Sequence, residues 1–207
     1  MSPMDFNLDR TPNQQQVVKS ALDLGHACNF EEGHTLQVTR LALSLFDELK
    51  ALHHLGEQEK YWLQLASILH DIGWVEGWQG HHKASLRIIL NSPILPLDNR
   101  ERLIIGSIAR YHRKALPDLK HDHYTALDDR ERMTVSILAA ILRVADGLDR
   151  SHHNTVKDLQ ASVNGHNITI NCQCDLPSYE EEQAALKKGD LMESLFNKKL
   201  VIQWTIL

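Results

Sequence analysis

The chain has 207 residues, 43% hydrophobic and 24% charged, the balance of one large globular domain or of a main domain with a small appendage. A net charge of −5 supplies no basic field and disfavours nucleic acid as the main partner. No uninterrupted apolar run approaches the roughly 20 residues that cross a bilayer, so no membrane span is expected.

Residues 1–13 are polar, contain Pro3 and Pro12, and read as a frayed leader. With Asp5 and Asp9 and no apolar core, that stretch is not a signal peptide, and Cys28, Cys172 and Cys174 are too few for a disulfide framework. A reducing cytoplasm is the expected location. Residues 14–24 predict a short amphipathic helix closed by Gly25. Residues 31–52 place Val38, Leu41, Leu45, Leu49 and Leu52 at the spacing of a long helix with one buried face. Residues 57–72 repeat that rhythm through Tyr61, Leu65, Ile68 and Leu69 and stop at Gly73. A shorter helix spans 83–90, ended by Pro93 and Pro96. Asp98, with Glu101 three residues on, caps a helix reaching about His112. After a polar loop, Asp128 or Asp129 opens another long helix whose stripe is Met133, Ile137, Ala140, Ile141 and Val144, running to about Arg150.

Past Ser151 the pattern changes. Residues 156–163 and 166–172 alternate with period two around Asn164-Gly165, a strong hairpin signal. A charged helical segment over 178–196 and a last apolar strand over 200–207 complete a β-β-α-β order. The expected fold is mainly α: a helical bundle over 14–151 with a small C-terminal α+β unit over 152–207.

Thirteen histidines outnumber Phe, Trp and Tyr combined, and histidine is the commonest metal ligand. His34 precedes Val38, Leu41 and Leu45 by four, seven and eleven residues, so it projects toward the core. His70-Asp71 ends the third long helix, and Asp146 stands on the last one. Singly, each has a plainer reading: a hydrogen-bonded core histidine, a chance dipeptide, a carboxylate paired with Arg143 or Arg150. Together, two imidazoles and two carboxylates from three helices suit a divalent transition metal, Mn, Fe, Zn, Co or Ni. Cys172-x-Cys174 has no second pair to complete a zinc site and reads as core.

The order His34, His70-Asp71, Asp146 resembles the HD superfamily of metal-dependent phosphohydrolases. The words "LALSLFDEL", "LASILHDIG", "HHKAS", "ARYHRKALP" and "LRVADGLDRS" are similar to the C-terminal HD region of the exopolyphosphatase / guanosine pentaphosphatase family, from about Val17 to the terminal strand. That resemblance implies an HD-type helical bundle with His34, His70, Asp71 and Asp146 as metal ligands. It also implies ligands for a second metal at His81 or His82, with His82 favoured, and at His112. The family's actin-like N-terminal domains have no counterpart in this sequence, which therefore reads as a stand-alone HD domain whose catalysis must occur at the metal. Asp71 and His112 are the expected catalytic residues. Lys83, Arg113, Lys114 and Arg150 are the expected phosphate contacts, against the plainer reading of surface charge. Trp74 and Trp78 either wall a pocket, stack on a base or cover the core. His121 and His123 are expected to be exposed, and His53-His54 to meet a helix dipole.

The expected activity is metal-dependent hydrolysis of a phosphoester or phosphoanhydride in a nucleotide or polyphosphate-type substrate, with one or two ions. The alternative is a non-catalytic nucleotide- or polyphosphate-binding module, and a homodimer through an exposed β edge is a third possibility.

Overall fold

The computed structural model describes residues 11–207. Residues 1–10, most of the expected leader, lie outside the described residues. Thr11 caps helix α1 (Pro12–Ala27) in a reciprocal box with Gln14, so the helix already begins within the expected leader. Gly25 does not end α1. It lies inside the helix against the Phe30 ring, which a Cβ would meet at 2.8 Å, and Asn29 (φ 54°) takes the left-handed turn that follows.

The long second helix is interrupted at Leu49, giving α2 (Glu32–Glu48) and a single turn, α3 (Lys50–His53), capped by left-handed His54. Helix α4 (Glu57–Leu69) delivers His70 as its cap, followed by a 3-10 turn over Ile72–Glu76. Next come α5 (His81–Asn91), α6 (Asn99–Arg110), the short α7 (Asp122–Thr125) and α8 (Asp129–Gly147). Asp98 caps α6 through the Glu101 amide, and Asp128 caps α8 in a full box with Glu131.

The expected one-sided stripe of α8 is not what folds. Every residue from Thr134 to Gly147 is buried, while Met133, expected to face the core, is exposed. A helix apolar on all sides needs cover on all sides. Here α2, α4 and α6 supply part of it and the C-terminal α9 (Tyr179–Lys188) and α10 (Asp190–Phe196) the rest. The single expected helix over 178–196 is these two helices, meeting at Gly189.

Strands β1 (Asp158–Val163) and β2 (Asn167–Cys174) form the expected antiparallel hairpin, and β3 (Lys199–Ile206) pairs with β2 in parallel. Ile168, Ile170, Cys172 and Cys174 all point inward from β2, as period two requires. The fold is thus mainly α with a small C-terminal α+β unit. One apolar cluster runs through both parts, from Val17 in α1 to Ile202 in β3. Among the described residues, no helix is long and apolar enough to cross a membrane.

Candidate metal centre

Two close backbone approaches set the site's frame. A Cβ on Gly73 would lie 2.0 Å from the His81 carbonyl oxygen, so only glycine lets the turn after α4 settle against the start of α5. A Cβ on Gly147 would lie 2.6 Å from Ala185 Cα, so α8 and α9 touch backbone to backbone just beyond Asp146. Ser85 ties the first contact down, donating from Oγ to the His70 carbonyl at 2.7 Å and accepting from the Gly73 amide at 2.9 Å.

Within that frame six side chains gather in two trios, each spaced to hold an ion: His34, His70 and Asp146, and Asp71, His81 and His112. Asp71 stands between them. Its Oδ2 lies 3.6 Å from His70 Nε2, and its Oδ1 lies 3.1 Å from His81 Nε2 and 3.3 Å from His112 Nε2. In the first trio, His34 Nε2 is 3.6 Å from Asp146 Oδ1.

The four imidazoles share one arrangement. His70 Nδ1 meets the Ser67 carbonyl at 2.7 Å, His81 Nδ1 that of Trp78 at 3.1 Å, and His112 Nδ1 that of Ala109 at 2.7 Å. Each carbonyl is three residues back, where a helix end or turn leaves it free. His34 Nδ1 meets the Asp149 carboxylate at 2.9 Å. Carbonyls and carboxylates only accept, so Nδ1 carries a hydrogen in each ring, and in the neutral form of the ring Nε2 is left with the lone pair that faces Asp71 or Asp146. Two atoms at the centre, His70 Nε2 and Asp71 Oδ1, are buried without a hydrogen-bond partner among the described residues. Bare imidazole and carboxylate donors of this kind are what a divalent transition metal takes, so the residues present fit such an ion.

The electrostatics agree. Burial pushes His70 down to about 4, with Asp71 opposing only in part. Burial would raise Asp71, but His70, His112 and His81 outweigh it and hold it well below the carboxylate range. Asp146 behaves likewise: burial raises it, and the Lys188 ammonium, His112 and His70 bring it well down. For His34, burial works downward, while the Asp149 hydrogen bond and the Asp146 charge turn the net direction upward. The carboxylates stay ionised, and His70 is neutral at pH 7.

The centre opens into a cavity of about 660 Å³ lined by His34, Asp71, His112 and Asp146 together with Arg113, Lys114, Arg150, Lys187 and Lys188. Trp74 and Trp78 form part of the wall and remain 41% and 52% exposed, which removes the reading of them as core cover. Trp74 stacks on the His81 ring at 5.0 Å, and the Arg113 guanidinium lies 4.7 Å over Trp78. Lys114 and His152, both on this wall, have left-handed backbones at φ 58° and 62°.

Of the sequence-derived site residues, His34, His70, Asp71, Asp146, His112, Arg113, Lys114 and Arg150 come together here. His81, not the favoured His82, joins a trio, because α5 starts at His81 after left-handed Gly80 rather than at Lys83. His82 is buried outside both trios, its Nδ1 without a partner among the described residues, and burial and the nearby Arg110 push it to about 3. Lys83 is exposed and does not line the cavity. His121 and His123 are only half-exposed and pack against Tyr111, with His121 Nδ1 2.8 Å from the Tyr111 hydroxyl.

Sequence reasoning missed four contributors: Asp149, His152, Lys187 and Lys188. Asp149 is fully buried and also accepts from the Asn154 amide at 2.9 Å. Its place three residues after Asp146, one helical turn away, was the available signal. His152 stacks on His34 at 3.8 Å and pairs through Nδ1 with Glu31 at 2.7 Å. The two lysines arrive from a helix more than thirty residues further along the chain, with no local signal.

A family model described as Ppx/GppA phosphatase, domain III, matches residues 17–194. The chain belongs to this family. The match takes in both trios and the α9 lysines of the cavity wall, so the whole centre lies within a phosphatase-related domain. No curated protein matches the chain.

Proposed function

We propose that this Ppx/GppA-family chain is a metal-dependent phosphohydrolase of the HD type, cleaving a phosphoester or phosphoanhydride in a nucleotide or polyphosphate-type substrate. The observation that carries the reading is the two adjoining His/Asp trios joined at Asp71, opening on a cavity rich in lysine and arginine. His34, His70, Asp71 and Asp146 would hold the first ion. His81 and His112, sharing Asp71, would hold a second.

The chemistry such an ion supplies when bound is Lewis acidity toward water and the phosphoryl oxygen. The protein's own groups do the rest. Asp71, ionised at the cavity wall, orients the attacking water by accepting its hydrogen bond at a carboxylate oxygen. Arg113, Lys114 and Arg150 hold the phosphate charge, the arginines with planar forks suited to two oxygens at once. His112 Nε2 is the atom able to hold a proton for the leaving oxygen in a one-ion enzyme, because its Nδ1 is fixed on Ala109. Trp74 and Trp78 give one side of the cavity an aromatic wall.

The helical unit (14–151) and the C-terminal unit (152–207) act together in this reading, since α9 supplies two cations of the wall. Three unpaired, buried cysteines support a reducing location, the cytoplasm.

The test is metal analysis of the purified protein with a phosphate-release screen over nucleotides, polyphosphate and simple phosphoesters, on wild type and Asp71→Ala. Bound transition metal and release that vanishes in the variant are expected. Release that survives Asp71→Ala would place the chemistry elsewhere. Metal without turnover on any substrate would leave the non-catalytic binding module.

A further inference from the structure

The Lys188 ammonium sits on Asp146 Oδ2, one of the carboxylates assigned above to the first ion. We infer that Lys188 is a displaceable counter-cation, neutralising Asp146 while the site is metal-free and turning to the substrate's phosphate once a metal takes that carboxylate. The inference rests on the metal-centre reading proposed above.

Lys188 is the last residue of α9, and its backbone is fixed independently of its side chain. Arg143 donates from Nε to the Lys188 carbonyl at 3.1 Å, and from its two terminal nitrogens to the Tyr111 carbonyl at 3.1 Å and Asp190 at 2.7 Å. The start of α9 is tied by Glu181, a buried carboxylate that accepts from the Ser151 amide at 3.1 Å and from the Ser151 and Ser178 hydroxyls. Its middle lies against Gly147. The position of α9 therefore does not depend on the Lys188–Asp146 pair, and a four-carbon stem ending in an ammonium is left to choose its partner.

Asp146 cannot serve both partners at once. A divalent ion beside His34 and His70 would stand within a few ångströms of the ammonium, and like charges at that range repel strongly in a poorly solvated site. On release, Lys188 finds no carboxylate on this wall that lacks a cationic partner or a cluster of imidazoles. Among the described residues lining the cavity the carboxylates are Asp71, Asp146 and Asp190. Asp71 faces His70, His81 and His112, and Asp190 is engaged by Arg143. The remaining negative charge the cavity can offer is a bound phosphate. Lys187 lines the same cavity without an ion pair to any described residue, so it meets that phosphate with or without metal.

Calorimetric titration of Mn²⁺ into metal-stripped protein, then of inorganic phosphate into the Mn²⁺-loaded form, separates these roles. Lys188→Met is expected to tighten Mn²⁺ and weaken phosphate, each by roughly tenfold, the scale of one charge-assisted contact. Lys187→Met is expected to weaken phosphate alone. Lys188→Gln carries the same two readings if the methionine variant does not fold. Wild type that binds Mn²⁺ while both Lys188 variants bind it no more tightly, or hold phosphate as well as wild type, overturns this inference and leaves the metal centre standing. Wild type that takes up no Mn²⁺ overturns both.

Discussion

His53 and His70 invite comparison because both are buried imidazoles at a helix end and burial pushes both down. At the corner between α3 and α4, His53 Nε2 donates to the Phe46 carbonyl at 2.8 Å and Nδ1 accepts from the Leu55 amide at 3.0 Å. Both nitrogens are used, the ring is neutral, and the expected interaction with a helix dipole is replaced by two neutral hydrogen bonds. At the end of α4, His70 spends Nδ1 on Ser67 and keeps Nε2 bare. Burial and a lowered pKa do not tell a structural histidine from a ligand. What sets His70 apart is that its unspent lone pair lies among the donors of a trio, whereas the equally unpaired Nδ1 of His82 does not.

The largest effects should separate the two regions outright. His70→Ala is expected to abolish metal retention and lower phosphate release by at least about a hundredfold, with the fold kept. His53→Ala is expected to cost about 2–3 kcal/mol of stability through a cavity and two stranded backbone groups, with metal content per folded molecule unchanged. Metal analysis beside urea denaturation reads both, and a His53 variant that loses its metal would break the comparison.

Next in size is Asp149→Asn, which keeps the shape but removes the charge that orients His34. A drop in metal affinity of about 10–100-fold is expected by calorimetry, and an unchanged affinity would reduce Asp149 to a loop brace.

Acidity offers a third test on metal-free protein. An unfolded imidazole protonates near pH 6.5, whereas His70 and His123 do so only near 4 and His82 near 3, burial being the main cause for each. Between those values the unfolded chain binds more protons, so stability is lost as pH falls from about 6.5 toward 4. His34 is raised, so its contribution is intact below its unfolded value and is lost only as pH rises through its folded one. Urea midpoints at pH 7, 6 and 5 should fall in that order, more steeply for wild type than for His70→Ala. Equal slopes would mean His70 is not held neutral.

The smallest effects concern the backbone. His54 at the corner and Lys114 at the cavity both have left-handed φ, 56° and 58°. Glycine at either is expected to stabilise by about 0.5–1 kcal/mol. Only Lys114→Gly should also weaken phosphate binding, and a loss at His54→Gly would show that the two regions are linked.

The sequence made much of this visible, for identifiable reasons. His34 shares a helical phase with Val38, Leu41 and Leu45, so its burial could be read directly. The hairpin at Asn164-Gly165 depends on local turn chemistry and folds as expected. What failed depends on distant chain. Period alone puts Met133 on the inward stripe, yet it is the residues after it, Thr134 to Gly147, that are buried on every side, by α9 and α10 as well. His81 displaced His82 because the start of α5 is set by Gly80 and by the fit of Gly73 against the His81 carbonyl. Lys188 reaches Asp146 from 42 residues away, a pairing no local pattern encodes.

The near-contact of Gly147 with Ala185 bears on how portable this centre is. Because the two backbones touch, the helix carrying Asp146 and the helix carrying Lys187 and Lys188 behave as one machined part, with no side chain between them to absorb a change of angle. Grafting the six His/Asp residues onto another helical bundle would transplant the donors without their opposing wall. Trimming this chain after residue 151 would unroof the cavity and bare one flank of α8 to water. A designer borrowing the centre has to take the sheet's helices along with it.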